Sequence, residues 1–385
     1  MPNVNYVILL LEMARALDRE LARGISKYAR FQSRTRWAFY SEPDIQRRLK
    51  IIPKLKDWKA NGIIAHNPTP KNKQLIMKLG IPVITRGIKI AGYPHISSDL
   101  EKISQMAANH LLERGYKNFA YCGFDSAEWS VMRGEYFAKM IKKASANITI
   151  YSQPKRGSWL SWEKEQPIMA EWLESLPKPI AVLACNDDRA RQVIEAGKFA
   201  DIHVPEEVAV LGIDNDEHVC ELSDPPLSSI ALNSERAGFE AAKLLDKMMV
   251  DKTECEDEII VKPTHIVTRQ STNILAIEDS EVASAINYIR NNSRKLIQVD
   301  DVAEATSISR RVLENRFRKI LNRSILEEIN LTHINQILQM LLETNFSISE
   351  ISEVMGYSSD KHIARSFRKH MGMSPLAYRK KFGSR

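Results

Sequence analysis

The strongest constraint in this chain is a pattern written twice near its C-terminal end. In residues 347–379, Ile348, Ile351 and Val354/Met355 recur at helical spacing, and Gly356 interrupts the run where a helix C-cap would fall. Ser359 or Asp360 can then cap a second helix whose Ile363, Phe367 and His370/Met371 form one stripe. Lys361, His362, Arg365 and Arg368 lie between those apolar positions and face outward. A short helix, a glycine-containing turn and a basic second helix predict a helix-turn-helix, whose second helix can lie in the DNA major groove. About fifty residues upstream the punctuation recurs, with Val302, Ala303 and Thr306 on a first helix and Ser309 capping a second. There Leu313, Phe317 and Leu321 point inward, and Arg310, Arg311, Glu314, Asn315 and Arg318 outward. Asn322 stands where the second copy has Gly372, a mild exchange because Asn tolerates the left-handed conformation.

Charge separates this segment from the rest. From residue 281 onward there are 17 Lys and Arg against 11 Asp and Glu, whereas the first 280 residues hold 38 against 37. Nearly all of the net +7 therefore lies on the helix-turn-helix segment, as counterion release from phosphates favours. At 385 residues the chain suits two or three domains, and 44% apolar with 27% charged residues is a globular composition.

The remainder of the chain reads as α/β. The near-continuous apolar run YVILLL (6–11) marks a strand buried on both faces of a parallel sheet. WAFY (37–40), GIIAH (62–66) and IPVITR (81–86) read as further strands, alternating with a helix through Leu17, Leu21, Ile25 and Tyr28 and helices at 47–58 and 71–79. A helix at 100–114 leads to a second series, with strands at 119–123, 148–152, 180–185 and 208–213 and helices near 132–144, 162–175 and 187–199. The alternation predicts two doubly wound α/β lobes of similar build over residues 1–273. A linker at 274–280 follows, then an all-α domain over 281–385 with helix-turn-helix units near 300–321 and 348–370. Helix 281–292 opens that domain, and helix 325–343 joins the two units through a stripe of Ile325, Ile329, His333/Ile334, Ile337/Leu338 and Leu341.

These residues carry resemblances to known families. The paired motifs, ending G-x-S-P-x-x-Y-R (Gly372, Ser374, Pro375, Tyr378, Arg379), resemble the arabinose-regulator class of bacterial transcription factors. Ile363 stands where that class usually has an aromatic residue, and Ser352 where it has alanine. The blocks at 95–123, 183–197, 204–217 and 225–230 resemble lactose-repressor-type regulators and periplasmic sugar-binding proteins. Together the two parts are similar to the bacterial xylose operon activators, through SERAGFEAAKLLDKMM (234–249), RQSTN (269–273), and WLESLP (172–177) with NDDRAR (186–191).

The resemblance implies three crossings between lobes, with hinges near 98, 227 and 260, and a ligand between lobes at the strands' carboxyl ends. A sugar site needs side chains that donate and accept together beside an apolar face. The loops after the strands offer Glu12, Arg15, Asp18 and Arg19, then Arg133, then Asn186 and Asp187, then Asp214. The resemblance places Arg133, Asn186 and Asp214 at sugar-contacting positions and Asp99 at a weaker one. Asn186 and Asp187 are equally readable as helix caps, and Asp18 as a surface charge. Trp129, Trp159 and Trp162 could supply a stacking face. The effector implied is a monosaccharide, D-xylose by resemblance, with another pentose or a hexose as the alternative. The first-strand loop EMARALDRE (12–20) shares only its Asp18-Arg19 end with the xylose activators, which leaves the sugar open.

For DNA, the resemblance puts base reading on Arg311, Glu314 and Asn315 in the first unit, and on Lys361, His362 and Arg365 in the second. Arg can grip guanine, Asn can pair with adenine and Glu can accept from cytosine. Arg318 and Arg368 lie one turn later, suited to phosphates. The partners implied are double-stranded operator DNA, RNA polymerase and a second copy of the chain. An enzyme is disfavoured, since the 15 glycines form neither G-x-G-x-x-G nor G-x-x-x-x-G-K and the nine histidines are scattered. Cys122, Cys185, Cys220 and Cys255 lack ligand spacing, no segment has membrane-spanning length, and the start lacks a signal-peptide pattern. The expectation is a cytoplasmic regulator without cofactor or metal.

Overall fold

The apolar N-terminal run becomes β1 (Val4–Leu10), and it is the middle of what forms around it. In the computed structural model the described residues are 4–31, 36–41, 59–66, 74, 76–87, 89–154, 161–251, 257–273, 279–321, 323–357 and 359–382. The helix expected at 47–58, residues 71–73 and 75 of that at 71–79, residues 274–278 of the linker, Trp159, Cys255 and Asn322 lie outside them. No helix among the described residues is long and apolar enough to cross a membrane, and no group of His, Cys, Asp or Glu among them could hold a metal.

Two compact units emerge, and the chain passes between them at 100/101, 231/232 and 263/264. In the first, β1 is flanked by β2 (Arg36–Ser41) and β3 (Gly62–His66), followed by β4 (Val83–Arg86), β5 (His95–Ser98) and β11 (Glu258–Val261). Every adjacent pair is parallel, with Val7 opposite Gly62 and Ile63 opposite Val83. Parallel strands need cover on their faces, hence their continuous apolar sequences. Helices α1 (Ala16–Phe31) and α7 (Ser234–Asp251) supply it, burying Leu17, Leu21, Ile25, Ala241 and Leu245 against Val7, Leu9 and Ile64. These two helices approach closely through glycine. A Cβ on Gly24 would overlap the Glu235 carbonyl oxygen, and one on Gly238 the Leu21 carbonyl oxygen. Around this contact Tyr28 Oη donates to Asp246 at 2.9 Å, and Lys27 pairs with Glu235 at 3.1 Å.

The second unit contains a sheet of the same design in the order β12 (Pro263–Val267), β10 (Ser228–Leu232), β9 (Val208–Asp214), β8 (Ile180–Ala184), β6 (Asn118–Cys122) and β7 (Asn147–Ile150). The strands from β10 through β7 are parallel. Helices α2 (Leu100–Leu112), α3 (Glu128–Lys143), α4 (Trp162–Ser175), α5 (Asp187–Phe199) and α6 (Glu217–Leu222) connect them. Strands β5, β10, β11 and β12 were not expected from sequence, although each completes or borders a sheet.

The same unit also holds the helical C-terminal part. Helices α8 (Ser280–Asn291), α9 (Val299–Glu304) and α10 (Arg310–Leu321) bury Ile286, Val302, Leu313 and Phe317 in one core. Helices α12 (Ile348–Val354), α13 (Asp360–Met371) and α14 (Pro375–Phe382) bury Ile351, Ile363, Phe367 and Tyr378 in another. The long α11 (Ile325–Glu343) belongs to both, giving Ile325 and Ile329 to the first and Ile334 to Leu341 to the second. Ser324 and Ser347 start their helices with capping boxes, and Gly356 (φ 72°) and Gly372 (φ 71°) end theirs in the left-handed region. His333 is a packed core histidine whose Nε2 lies 2.7 Å from the Lys295 carbonyl.

Candidate ligand-recognition groups and nucleic-acid interface

In the first unit the polar groups gather where β1, β3 and β4 end. Asp18, at the start of α1, is completely buried (0% exposed) below them. Its Oδ1 lies 2.5 Å from Arg86 Nη1, and its Oδ2 accepts from His66 Nδ1 at 2.6 Å and from the Glu12 amide at 2.6 Å. Burial pushes the Asp18 carboxyl up, but Arg86, the His66 hydrogen bond and the Glu12 amide outweigh it and hold the carboxyl below its ordinary range. Burial and the Arg86 charge together lower His66 despite Asp18 and Glu12, so the imidazole is neutral at pH 7. With Nδ1 donating to Asp18, Nε2 accepts from Arg86 Nη1 at 3.1 Å.

Sequence reasoning selected neither His66 nor Arg86, although each closes a strand at its carboxyl end. Of the four residues offered by the first loop, Asp18 and Arg19 hold the loop instead. Asp18 anchors His66 and Arg86 from beneath, and Arg19 Nη1 donates to the Met13 and Ala14 carbonyls at 3.2 and 2.9 Å. Glu12 and Arg15 pair at 3.6 Å on the more open side of the cluster, with side chains 29% and 26% exposed. Asp99 lies just beyond β5, its amide donating to the Val261 carbonyl at 2.9 Å.

The second unit has a comparable set after β8 and β9. Arg133 on α3 is buried, donates from Nη1 to the Cys185 carbonyl, and stands 5.4 Å from the centre of the Trp129 ring. Asn186 caps α5, its Oδ1 accepting from the Arg189 amide at 3.0 Å, which leaves its side-chain NH2 as a donor. Asp187, chosen from sequence as a ligand residue, is only 2% exposed and spends both oxygens inside the lobe. Oδ1 accepts from Ser229 Oγ at 2.5 Å, and Oδ2 from the Asp216 amide at 2.7 Å. Gly212 opposite it makes this possible, since a Cβ there would strike Oδ1. Burial and then the Asp214 charge push the Asp187 carboxyl well up. Asp214 (φ 105°) and Asn215 (φ 51°) are consecutive residues in the left-handed region, a strained turn of the kind that clusters at functional sites. Asn215 is held from both sides, its amide on Ser229 Oγ at 3.0 Å and its Oδ1 on Arg269 Nη1 at 3.0 Å.

Arg189, which sequence reasoning passed over, is fully buried beneath this set. It pairs with Glu165 at 2.6 Å and lies 4.8 Å from the Phe124 ring centre and 5.2 Å from that of Tyr151. Burial alone would lower it, but the acidic surroundings led by Cys122 and Glu165 raise it.

The helical part presents two exposed second helices. On α10, Arg311, Asn315 and Arg318 are exposed, as are Lys361, His362, Arg365 and Arg368 on α13. Arg310 is committed locally, to Asp300 at 2.7 Å and to Glu314 at 2.9 Å. Neither Arg311 nor Arg365 is held by an ion pair among the described residues. The distance from Ile325 to Glu343 along α11 is about 27 Å at 1.5 Å per residue, of the order of the spacing of about 34 Å between successive major-groove turns.

Against the end of α2 the helical part docks with a half-buried charge cluster. Arg323 bridges Glu113, just after α2, at 3.1 Å and Glu328 on α11 at 2.5 Å. Burial raises Glu113, with Arg323 opposing it, and Arg290 of α8 interacts with both acids. Next to it Arg114 Nε donates to the Thr272 carbonyl at 2.7 Å, and Tyr378 Oη donates to the Thr264 carbonyl at 3.3 Å.

Comparison with known proteins agrees with this layout. Residues 6–101 match the XylR N-terminal domain model, 108–272 the periplasmic binding protein-like domain and 302–381 a helix-turn-helix domain. Such a pairing of sensor and DNA-binding parts is that of a ligand-responsive transcriptional regulator, not of an enzyme. The chain is 31% identical over 383 residues to the xylose operon regulatory protein of Escherichia coli (strain K12), covering 97% of this chain and 96% of that one. It is 32% identical over 384 residues to the protein of the same name from Haemophilus influenzae, with 97% of each covered. A solved structure titled xylose-binding transcription activator xylR superposes with a TM-score of 0.61 at 28% identity, covering 99% of both chains. This chain belongs to the xylose operon regulatory protein family.

Proposed function

We propose that this regulator takes D-xylose as its effector and couples sugar occupancy to operator binding through the docked helical part. The observation that carries the sugar reading is the self-neutralised set Asp18, His66 and Arg86. A buried carboxylate facing one cation and a neutral imidazole leaves no net charge to be met by a ligand, which suits an uncharged polyol. Glu12, Arg15, Arg86 and His66 are the contacting groups in the first unit, together with Asp99 beyond the end of β5. Arg133, the Asn186 amide and Asp214 play that part in the second. Asp18, Arg19 and Asp187 act by positioning them.

On the DNA side, Arg311 and Asn315, with Lys361, His362 and Arg365, read base edges, while Arg318 and Arg368 hold phosphates. Two copies bind the operator together, and the complex contacts RNA polymerase to activate transcription. Support for coupling comes from the Glu113–Arg323–Glu328 cluster, which ties the end of α2 to α11. The deciding experiment is a thermal-shift screen of the full chain with xylose, arabinose, ribose and glucose. Binding only the native state stabilises it by about 2.7 kcal/mol at a hundredfold excess over Kd. A shift with a different sugar and none with xylose overturns the xylose assignment.

A further inference from the structure

We infer that Val312 is a base-reading residue of the first recognition helix, and that it contacts the 5-methyl group of a thymine. This rests on the DNA-reading assignment above and extends it to a residue outside the positively charged set.

The register of the two second helices carries the argument. Leu313 and Phe317 of α10 correspond to Ile363 and Phe367 of α13, and all four are fully buried. The pattern of burial over residues 311–320 repeats at 361–370 in nine of ten positions, differing only at Arg316 against Ser366. In this register Arg311 matches Lys361, Asn315 matches Arg365 and Val312 matches His362. A valine therefore occupies, in the first unit, the place that a polar reader holds in the second.

Helix geometry puts it in the groove. Successive residues turn by about 100°, so with Leu313 and Phe317 facing the core, Asn315 points directly outward. Arg311 and Val312 flank Asn315 at about 40° on one side and about 60° on the other. Glu314 is about 100° away and Arg310 about 140° away, toward the protein side. Those two are also tied to each other, and Arg310 to Asp300 as well. Val312 is 39% exposed and belongs to neither helical core, so packing does not account for an apolar, branched side chain there. In the major groove the thymine methyl is the apolar feature that a small aliphatic side chain can recognise. The first half-site should then carry a thymine beside the bases read by Arg311 and Asn315.

The test uses the full chain and the duplex it selects from a random-sequence pool, with each thymine replaced in turn by deoxyuridine, which lacks only the methyl. Wild type should lose about fourfold in affinity at one position of the first half-site, the value of about one buried methyl group. Val312→Ala should bind the unmodified duplex about fourfold more weakly and be indifferent to deoxyuridine at that position, while melting like wild type. Val312→Thr, which keeps a methyl, should retain the discrimination. A deoxyuridine penalty that persists in Val312→Ala overturns the inference. So does the absence of any penalty in that half-site while Asn315→Ala still weakens binding. If Asn315→Ala and Arg365→Ala both leave affinity unchanged, the DNA face itself is misassigned and the inference falls with it.

Discussion

Replacing Asp18 by asparagine separates support from contact in the first unit. The carboxylate forms an ion pair with Arg86 at 2.5 Å through Oδ1 and accepts from His66 and from the Glu12 amide, each at 2.6 Å, through Oδ2, with no exposure to solvent. Asparagine keeps one acceptor and turns an NH2 group toward Arg86 or His66, both of which donate. Breaking a buried ion pair from one side costs about 3–5 kcal/mol, because the remaining charge is stranded. Arg86 retains 16% side-chain exposure and can be partly rehydrated, which places the loss near the lower end, at about 3 kcal/mol. For a unit of this size that corresponds to a fall in Tm of about 6–12 °C. Sugar affinity should fall as well, because the loop carrying Glu12 and Arg15 loses its anchor.

The pH dependence is a sharper check. The folded Asp18 carboxyl lies below its ordinary value of 3.8, so its contribution is fully present above that value and disappears as pH falls through the depressed one. The gap between wild type and Asp18→Asn should therefore close in acid. His66, depressed from 6.5, acts earlier, since the unfolded chain takes up its proton first and wild-type stability declines as pH drops below 6.5. Urea melts of both proteins over this pH range are the assay. Equal stability at pH 7 together with unchanged sugar binding would refute the anchoring role.

Four further outcomes are expected. Arg365→Ala should cost about 1–3 kcal/mol on the selected operator and relax base preference at one position. Arg368→Ala should instead weaken all sequences alike and reduce the salt slope by about one unit, both read by fluorescence anisotropy. Arg323→Gln, which leaves Glu113 and Glu328 without their shared cation, should preserve the sugar-induced melting shift but diminish the effect of sugar on operator affinity. Gly24→Ala should destabilise the protein by about 1–3 kcal/mol or more in urea melts, because the methyl meets α7 backbone instead of a movable side chain.

The elements legible in the sequence were those with a strong period. GIIAH became β3 residue for residue, and helices 162–175, 187–199 and 325–343 were observed with the expected bounds. Strands β5 and β10 were hidden because Ser97, Ser98, Ser228 and Ser229 break their apolar pattern. The reason is local, since buried Ser228 and Ser229 exchange hydrogen bonds with Arg269, Thr272 and Asp187. His66 and Arg86 carried a usable signal, a polar residue closing a buried strand at its carboxyl end, but only pairing to Asp18 gives them meaning. Arg189 carried none, because nothing in NDDRAR distinguishes an arginine facing solvent from one between Phe124 and Tyr151. The cap reading of Asn186 matches its hydrogen bond to the Arg189 amide, and that bond still leaves its NH2 available.

The helix shared by two cores has a consequence for how such a regulator diverges. On the proposed DNA reading, each head sits on its own hydrophobic cluster, so substitutions on one outward face need not disturb the other. Half-site sequences can drift separately, one gene at a time. The interval between them cannot, because a single inserted residue in α11 would turn the second head by about 100° and advance it by about 1.5 Å. Operators of this lineage should thus vary in letters while keeping their phase, and the ruler that enforces it is one uninterrupted helix.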